Sequence, residues 1–166
     1  MGKISFRPLL ESDIPEILEI YTYYIDNSTA TCQIAHIGVD EMRSTVMPSS
    51  PKYKSFAILC GDELCGYVLF KCFNPREAYD ATAEVTIYLK HGFTGRHIGT
   101  AALNMIEKEA AKSGIHALVS LVSSENTASI KSFQKNGYEI CANFKEVSHK
   151  FGRRFGLICL EKIICH

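Results

Sequence analysis

The stretch "YLKHGFTGRHIGTAALNMIEKEA", Tyr88 to Ala110, joins a strand-like segment to a helix-like one through a turn rich in glycine. Before it, "ATAEVTIYL" alternates in side as a strand does. After it, Ile98, Ala101, Ala102, Met105 and Ile106 recur at helical spacing, which predicts a helix from Ile98 to about Ser113. A strand that passes through such a turn into a helix N-terminus leaves backbone N–H groups unpaired, and these can hold an anion. Two common versions are excluded. No Gly-Lys-Ser/Thr follows the run, so it is not a P-loop, and Gly92, Gly95 and Gly99 lack the dinucleotide spacing. Two readings stay open on these residues alone: a pyrophosphate-like anion site, or a connection whose glycines only turn the chain.

Composition limits what surrounds this turn. A chain of 166 residues suits one domain, residues 1–166, with a substantial core. Eighteen basic residues balance eighteen acidic ones, so no polyanion-attracting field is implied and no nucleic-acid partner is expected. No apolar run has the length of a membrane span, and "MGKISFRP" lacks the apolar core of a signal peptide. Gly2 fits a myristoylation pattern, but position six is Phe6 where Ser or Thr is needed. The seven cysteines, at 32, 60, 65, 72, 141, 159 and 165, include no C-x-x-C pair. They read as reduced core residues of a cytoplasmic protein, with neither a disulfide framework nor a metal site.

The order of elements carries the architecture. "ISFRPL" reads as a strand, and "ESDIPEILEIYTYYIDNS" as a helix capped by Ser12, with Pro15 in its first turn. Ile14, Ile17, Leu18, Tyr21, Tyr24 and Ile25 form its apolar stripe. "VDEMRSTVM" is a second short helix, and "SFAILC-GDE-LCGYVLFKCF" a hairpin turning at Gly61 and Asp62. Past the long helix come the apolar strand "ALVSLVS", the short helix "ENTASIKSFQKNG" ending at Gly137, and the strands "YEICANFKEV" and "RRFGLICLEKI". The fold class is α/β (α+β): a mixed, mostly antiparallel sheet of about seven strands flanked by about four helices.

This order, together with "FRPLLESDIPEILEIY", "NSTAT", "REAYDATAEVTIYL" and "ENTASIKSFQKNGY", resembles the GCN5-related N-acetyltransferase (GNAT) superfamily, most closely its phosphinothricin acetyltransferase group. The resemblance covers nearly the whole chain. The family's coenzyme motif, Q/R-x-x-G-x-G/A, falls on Thr94-Gly95-Arg96-His97-Ile98-Gly99, with Thr94 and His97 departing and Gly99 kept. It implies that main-chain groups from Gly95 to Thr100 cradle the pyrophosphate of acetyl-CoA. Ile87, Tyr88 and Leu89 then face the pantetheine arm, and Asn126 and Ser129 complete the coenzyme site. It also implies a homodimer and no metal.

Transfer of acetyl to an amine needs a base for the amine proton, a donor for the carbonyl oxygen and a way for the thiolate to leave. Glu84 matches the family's general base, and a carboxylate in an apolar strand needs a reason to be there. Phe133 stands where the family carries His or Tyr as acid, and it has no proton to give. Departure without a side-chain acid, or with Ser129, Ser132 or Tyr138, are the alternatives. The resemblance places Arg76, Tyr79, Thr31 and Lys150 at the acceptor, the first two and the last on motif positions and Thr31 in "NSTAT". Cys32, Arg154 and Gly156 depart from the family's aromatic, Trp and Asp, so the pocket differs. The expected function is acetyl-CoA-dependent N-acetylation of a small amino-acid-like amine by direct attack. The alternatives are a protein N-terminus or polyamine as acceptor, and a non-catalytic acyl-CoA binder.

Overall fold

The computed structural model describes residues 2–165. Strands β1 (Ile4–Pro8), β2 (Lys54–Cys60), β3 (Glu63–Cys72), β4 (Thr82–Leu89), β5 (Ala117–Ser123), β6 (Glu139–Lys150) and β7 (Arg153–Ile163) form one seven-stranded sheet. Its order is β1-β2-β3-β4-β5-β7-β6. Helices α1 (Ile14–Asn27), α2 (Val39–Val46), α3 (Ile98–Lys112) and α4 (Thr127–Lys135) flank it. Every neighbouring pair is antiparallel except β4 and β5, which run parallel because α3 carries the chain across between them. The expected mixed, mostly antiparallel sheet is the one observed.

Two apolar layers clamp the sheet. Strand β3 is buried without a break from Leu64 to Phe70, as a strand covered on both faces must be. On one face Val68 and Phe70, with Ala83 and Val85 of β4, pack against Ile98, Ala102, Leu103 and Ile106 of α3 and Phe133 of α4. On the other, Tyr67 and Leu69 meet Ile14, Ile17 and Ile20 of α1 and Met42 and Val46 of α2. Glu84, Thr86 and Tyr88 alternate with the buried Ala83 and Val85, so they share the face of α1 and α2.

Some local readings are corrected. Ser12 does not cap α1. Asp13 holds the corner instead: its carboxylate accepts from the Leu10 N–H at 2.8 Å and from both Arg7 nitrogens at 2.7 Å. Hydrogen bonding to Arg7 keeps that carboxyl below the usual range. On α3 the inward face is shifted, with Leu103 and Ala110 buried and Ala101 and Met105 only half-buried. The cysteines are free, but they are not mainly core: Cys65 is buried, while Cys32, Cys72 and Cys141 are exposed.

Candidate active site

The parallel pairing of β4 with β5 stops at Glu84 and Val119. Beyond it β4 runs on to Leu89 beside β3, and β5 runs on to Ser123 beside β7. The two strands therefore part, and a cavity of about 990 Å³ opens in the fork. The Lys90 main-chain N–H donates to the Cys65 carbonyl at 2.8 Å, so antiparallel alternation turns the main-chain groups of Tyr88, Thr86 and Glu84 to β3. The main-chain groups of Ile87 and Leu89 then point away from β3, into the fork. The Leu89 carbonyl accepts from the Tyr24 hydroxyl at 2.6 Å, while its N–H has no comparable partner on α1.

One end of the cavity is the turn before α3. Gly92 and Gly95 have φ of +89° and +75°, and His97, at the head of α3, has φ +60°. His97 thus occupies the left-handed region that the family fills with glycine, which gives the family motif its physical reason. Its side chain makes no capping hydrogen bond, and helix geometry leaves the N–H groups of Ile98, Gly99 and Thr100 without intrahelical partners. A Cβ placed on Gly99 would meet only Ser132 Oγ, at 3.7 Å, so this helix end is open to the cavity. Relief of the left-handed His97 predicts that His97→Gly raises stability by about 1 kcal/mol, or roughly 2–4 °C in thermal denaturation for a chain of this size. A drop in melting temperature would show that the imidazole holds the turn in place.

The opposite end is lined by tyrosines. Tyr21, Tyr24 and Tyr67 each contact Tyr88, edge-on, tilted and stacked in turn, with ring centroids 5.2–5.5 Å apart. Burial pushes the phenols of Tyr24, Tyr67 and Tyr88 up, so they stay protonated as hydrogen-bond donors. Tyr88 donates to the Ala30 carbonyl at 3.2 Å, and the Tyr21 and Thr31 hydroxyls bond at 2.7 Å. The 29–31 segment is pinned to the far wall by Thr29, whose hydroxyl meets Ser123 at 2.8 Å and Glu125 at 3.1 Å.

Glu84 lies between the two ends, where the strands part. Its side chain is 21 % exposed, and Oε1 stands 3.5 Å from the ammonium of Lys71, its cross-strand partner on β3. Both residues line the cavity.

Most of the residues expected from the sequence come together here. Glu84, Ile87, Tyr88, Leu89, Thr94, Gly95, His97, Ile98, Gly99, Thr100, Asn126, Ser129 and Thr31 all line the cavity. Asn126 caps α4, its Oδ1 accepting from the Ser129 N–H at 3.2 Å, which leaves the amide nitrogen free for a ligand. Arg96 stands aside: its guanidinium lies over the Phe93 ring and lines a separate cavity of about 210 Å³. Arg76 and Tyr79 are exposed and outside the lining, Tyr79 edge-on to Phe73. Lys150 is also outside it. Its buried ammonium donates to the carbonyls of Ser28 at 2.8 Å, Thr31 at 3.1 Å and Tyr24 at 3.5 Å, and so ties the end of α1 to the 28–31 segment. Of the candidate acids, Ser129 and Ser132 line the cavity, whereas Tyr138 is buried edge-on behind Phe133. Sequence reasoning missed Lys71, Lys131 and Lys135, and most of the tyrosine cluster. The pairing of Lys71 with Glu84 follows only from the β3–β4 register.

A seven-stranded sheet split between its parallel pair, with an open helix N-terminus at the head of the split, is the architecture of acyl-coenzyme A-dependent transferases of the GNAT type. The chain belongs to that family: the acetyltransferase (GNAT) domain model matches residues 6–158. It is similar to an L-methionine sulfoximine/L-methionine sulfone acetyltransferase of Pseudomonas paraeruginosa, with 27 % identity over 95 % of this chain and 92 % of the relative. It is also similar to the phosphinothricin N-acetyltransferase of Streptomyces coelicolor, with 23 % identity over 97 % and 96 % of the two chains. Among solved structures, a phosphinothricin acetyltransferase from Sinorhizobium meliloti in complex with AcCoA has a TM-score of 0.89 at 23 % identity, covering 96 % of this chain and 88 % of that one.

Proposed function

We propose that this protein transfers acetyl from acetyl-CoA to the primary amine of a small amino-acid-like acceptor, with Glu84 as the base. The observation that carries the reading is the position of Glu84. Its carboxylate sits at the fork of β4 and β5, between an end suited to phosphates and an end suited to a small acceptor. The head of α3 offers uncapped N–H groups and no Cβ obstruction at Gly99, which suits a pyrophosphate. Lys131 and Lys135, on α4 at the cavity wall, add positive charge for further phosphate. The outward main-chain groups of Ile87 and Leu89 would hold the pantetheine arm, and one of their N–H groups the thioester oxygen. The bound coenzyme supplies the acetyl group as a thioester; the chain positions the amine and removes its proton.

Phe133 is buried and cannot protonate the leaving sulfur. Departure as thiolate, or with Ser129 or Ser132 donating, fits the lining. The tyrosines, Thr31 and Cys32 shape the acceptor end, and Lys150 serves that end by holding the 28–31 segment. Exposed Ile140, Phe144 and Val147 on the edge strand β6 support a homodimer, and a cytoplasmic site suits the free thiols.

The test is release of coenzyme thiol across a panel of amino acids, methionine sulfoximine, polyamines and short peptides. The reading expects release that depends on a small amino-acid-like amine. A peptide or polyamine response would reassign the acceptor. Binding of acetyl-CoA without release for any amine would make the chain a non-catalytic binder, the alternative that Thr94, His97 and Phe133 together motivate.

A further inference from the structure

We propose that Lys71 is a site of self-acetylation: without an acceptor, the chain transfers one acetyl group from acetyl-CoA to its own Lys71 Nζ. The inference rests on the reading of the cleft given above, and it is carried by the placement of one amine. Lys71 and Glu84 face each other in the β3–β4 register, so both side chains leave the sheet on the same face, with Nζ and Oε1 3.5 Å apart. That is where an acceptor amine must stand to give its proton to Glu84.

The surroundings leave this amine available. Lys54, Lys90, Lys112 and Lys162 each donate to a carboxylate at 2.6–3.2 Å, and Lys150 is held by carbonyls. Lys71 has only the longer ion pair with Glu84 and, among the described residues, no hydrogen bond to hold its head. Its side chain is 40 % exposed, so it can swing within the cavity. Lys131 and Lys135 line the same cavity from α4, but neither is paired with Glu84.

The step balances with the co-substrate alone. The Lys71 ammonium gives one proton to Glu84, directly or through water. The freed Nζ lone pair forms a C–N bond to the acyl carbon while the C–S bond breaks. Sulfur leaves as thiolate and takes up the proton held by Glu84, directly or through water, which restores the carboxylate; of the two protons left on Nζ one passes to solvent and the other stays as the amide N–H. The products are one acetyl-lysine, one free coenzyme thiol and one proton, with nothing oxidised or reduced. Because amine and base are held in one chain, the reaction gains from fixed proximity.

The experiment incubates the full chain with acetyl-CoA and no amine, then follows intact mass and peptide mapping with time. The expected result is a gain of one acetyl group at Lys71, at least about tenfold faster than at Lys131 or Lys135. Glu84→Gln should slow labelling of Lys71 by about 100-fold and leave the other lysines unchanged. Lys71→Arg, which keeps the positive charge, should abolish the fast phase. Labelling of Lys71 no faster than its neighbours, or unaffected by Glu84→Gln, would overturn the proposal. So would an unmodified Lys71 in a chain that releases thiol with a free amine, an outcome that leaves the proposed function standing. Failure to bind acetyl-CoA at all would remove both.

Discussion

Glu84→Gln is expected to lower kcat by about 10²- to 10⁴-fold, with acetyl-CoA affinity unchanged. The amide keeps the size and position of the side chain but cannot take a proton from an ammonium at neutral pH. The proposed coenzyme contacts lie elsewhere along the cavity, at the head of α3, at the outward edge of Ile87 and Leu89, and at Asn126. Only the chemical step should suffer, so kcat and kcat/KM for the acceptor should fall together. The fold should not suffer. The ion pair with Lys71 is 3.5 Å long and its lysine is 40 % exposed, so its loss should shift stability by no more than about 1 kcal/mol. Initial rates of thiol release, calorimetry with acetyl-CoA and a melting curve on the same sample separate these effects. Unchanged turnover would remove Glu84 from the chemistry.

Lys150→Met is expected to destabilise the chain by about 2–4 kcal/mol, a fall of roughly 5–15 °C in melting temperature. Methionine fills a similar volume, so the loss comes from the carbonyls of Ser28 and Thr31, which it leaves without their donor, while the Tyr24 carbonyl keeps the Ser28 N–H and hydroxyl, each at 3.2 Å. Burial already pushes the Lys150 ammonium below the usual lysine range, and these carbonyls, with the Phe151 ring centroid 5.0 Å from Nζ, offset the cost of its placement. The 28–31 segment carries Thr29, Ala30 and Thr31 to the cavity wall, so acceptor KM should rise as the segment loosens. A rise in KM with no loss of stability would instead mean that Lys150 touches the acceptor directly, as the family resemblance implies.

The places of Lys150 and Glu84 in the structure show where the sequence was informative. Glu84 could be placed because it falls on the acid of the family that the sequence resembles, and because an acidic residue in the alternating "TAEVTIYL", ahead of a turn with three glycines, stands against the apolar pattern. Those signals are local, and the structure keeps them together in one fork. Lys150 and Arg76 carry no such signal: a basic residue near a turn looks the same whether it grips a ligand, ties three carbonyls or faces water. Lys71 was silent for a related reason, since its meaning lies in the β3–β4 register, which pairs it with Glu84. The cap expected at Ser12 failed because Ser12 lies inside the turn Glu11–Asp13 that leads into α1, and the Asp13 carboxylate is taken by Arg7 and the Leu10 N–H, so no side chain caps α1. His97 was legible as a departure, but its cost became visible only with its positive φ.

The most direct test of the cleft is a crystal structure of this protein with acetyl-CoA. The pyrophosphate should lie on the N–H groups of Ile98, Gly99 and Thr100, the pantetheine arm between β4 and β5 beside Ile87 and Leu89, and the acetyl group within reach of the amine site at Glu84. A coenzyme bound away from the fork, or with its thioester remote from Glu84, would contradict the account.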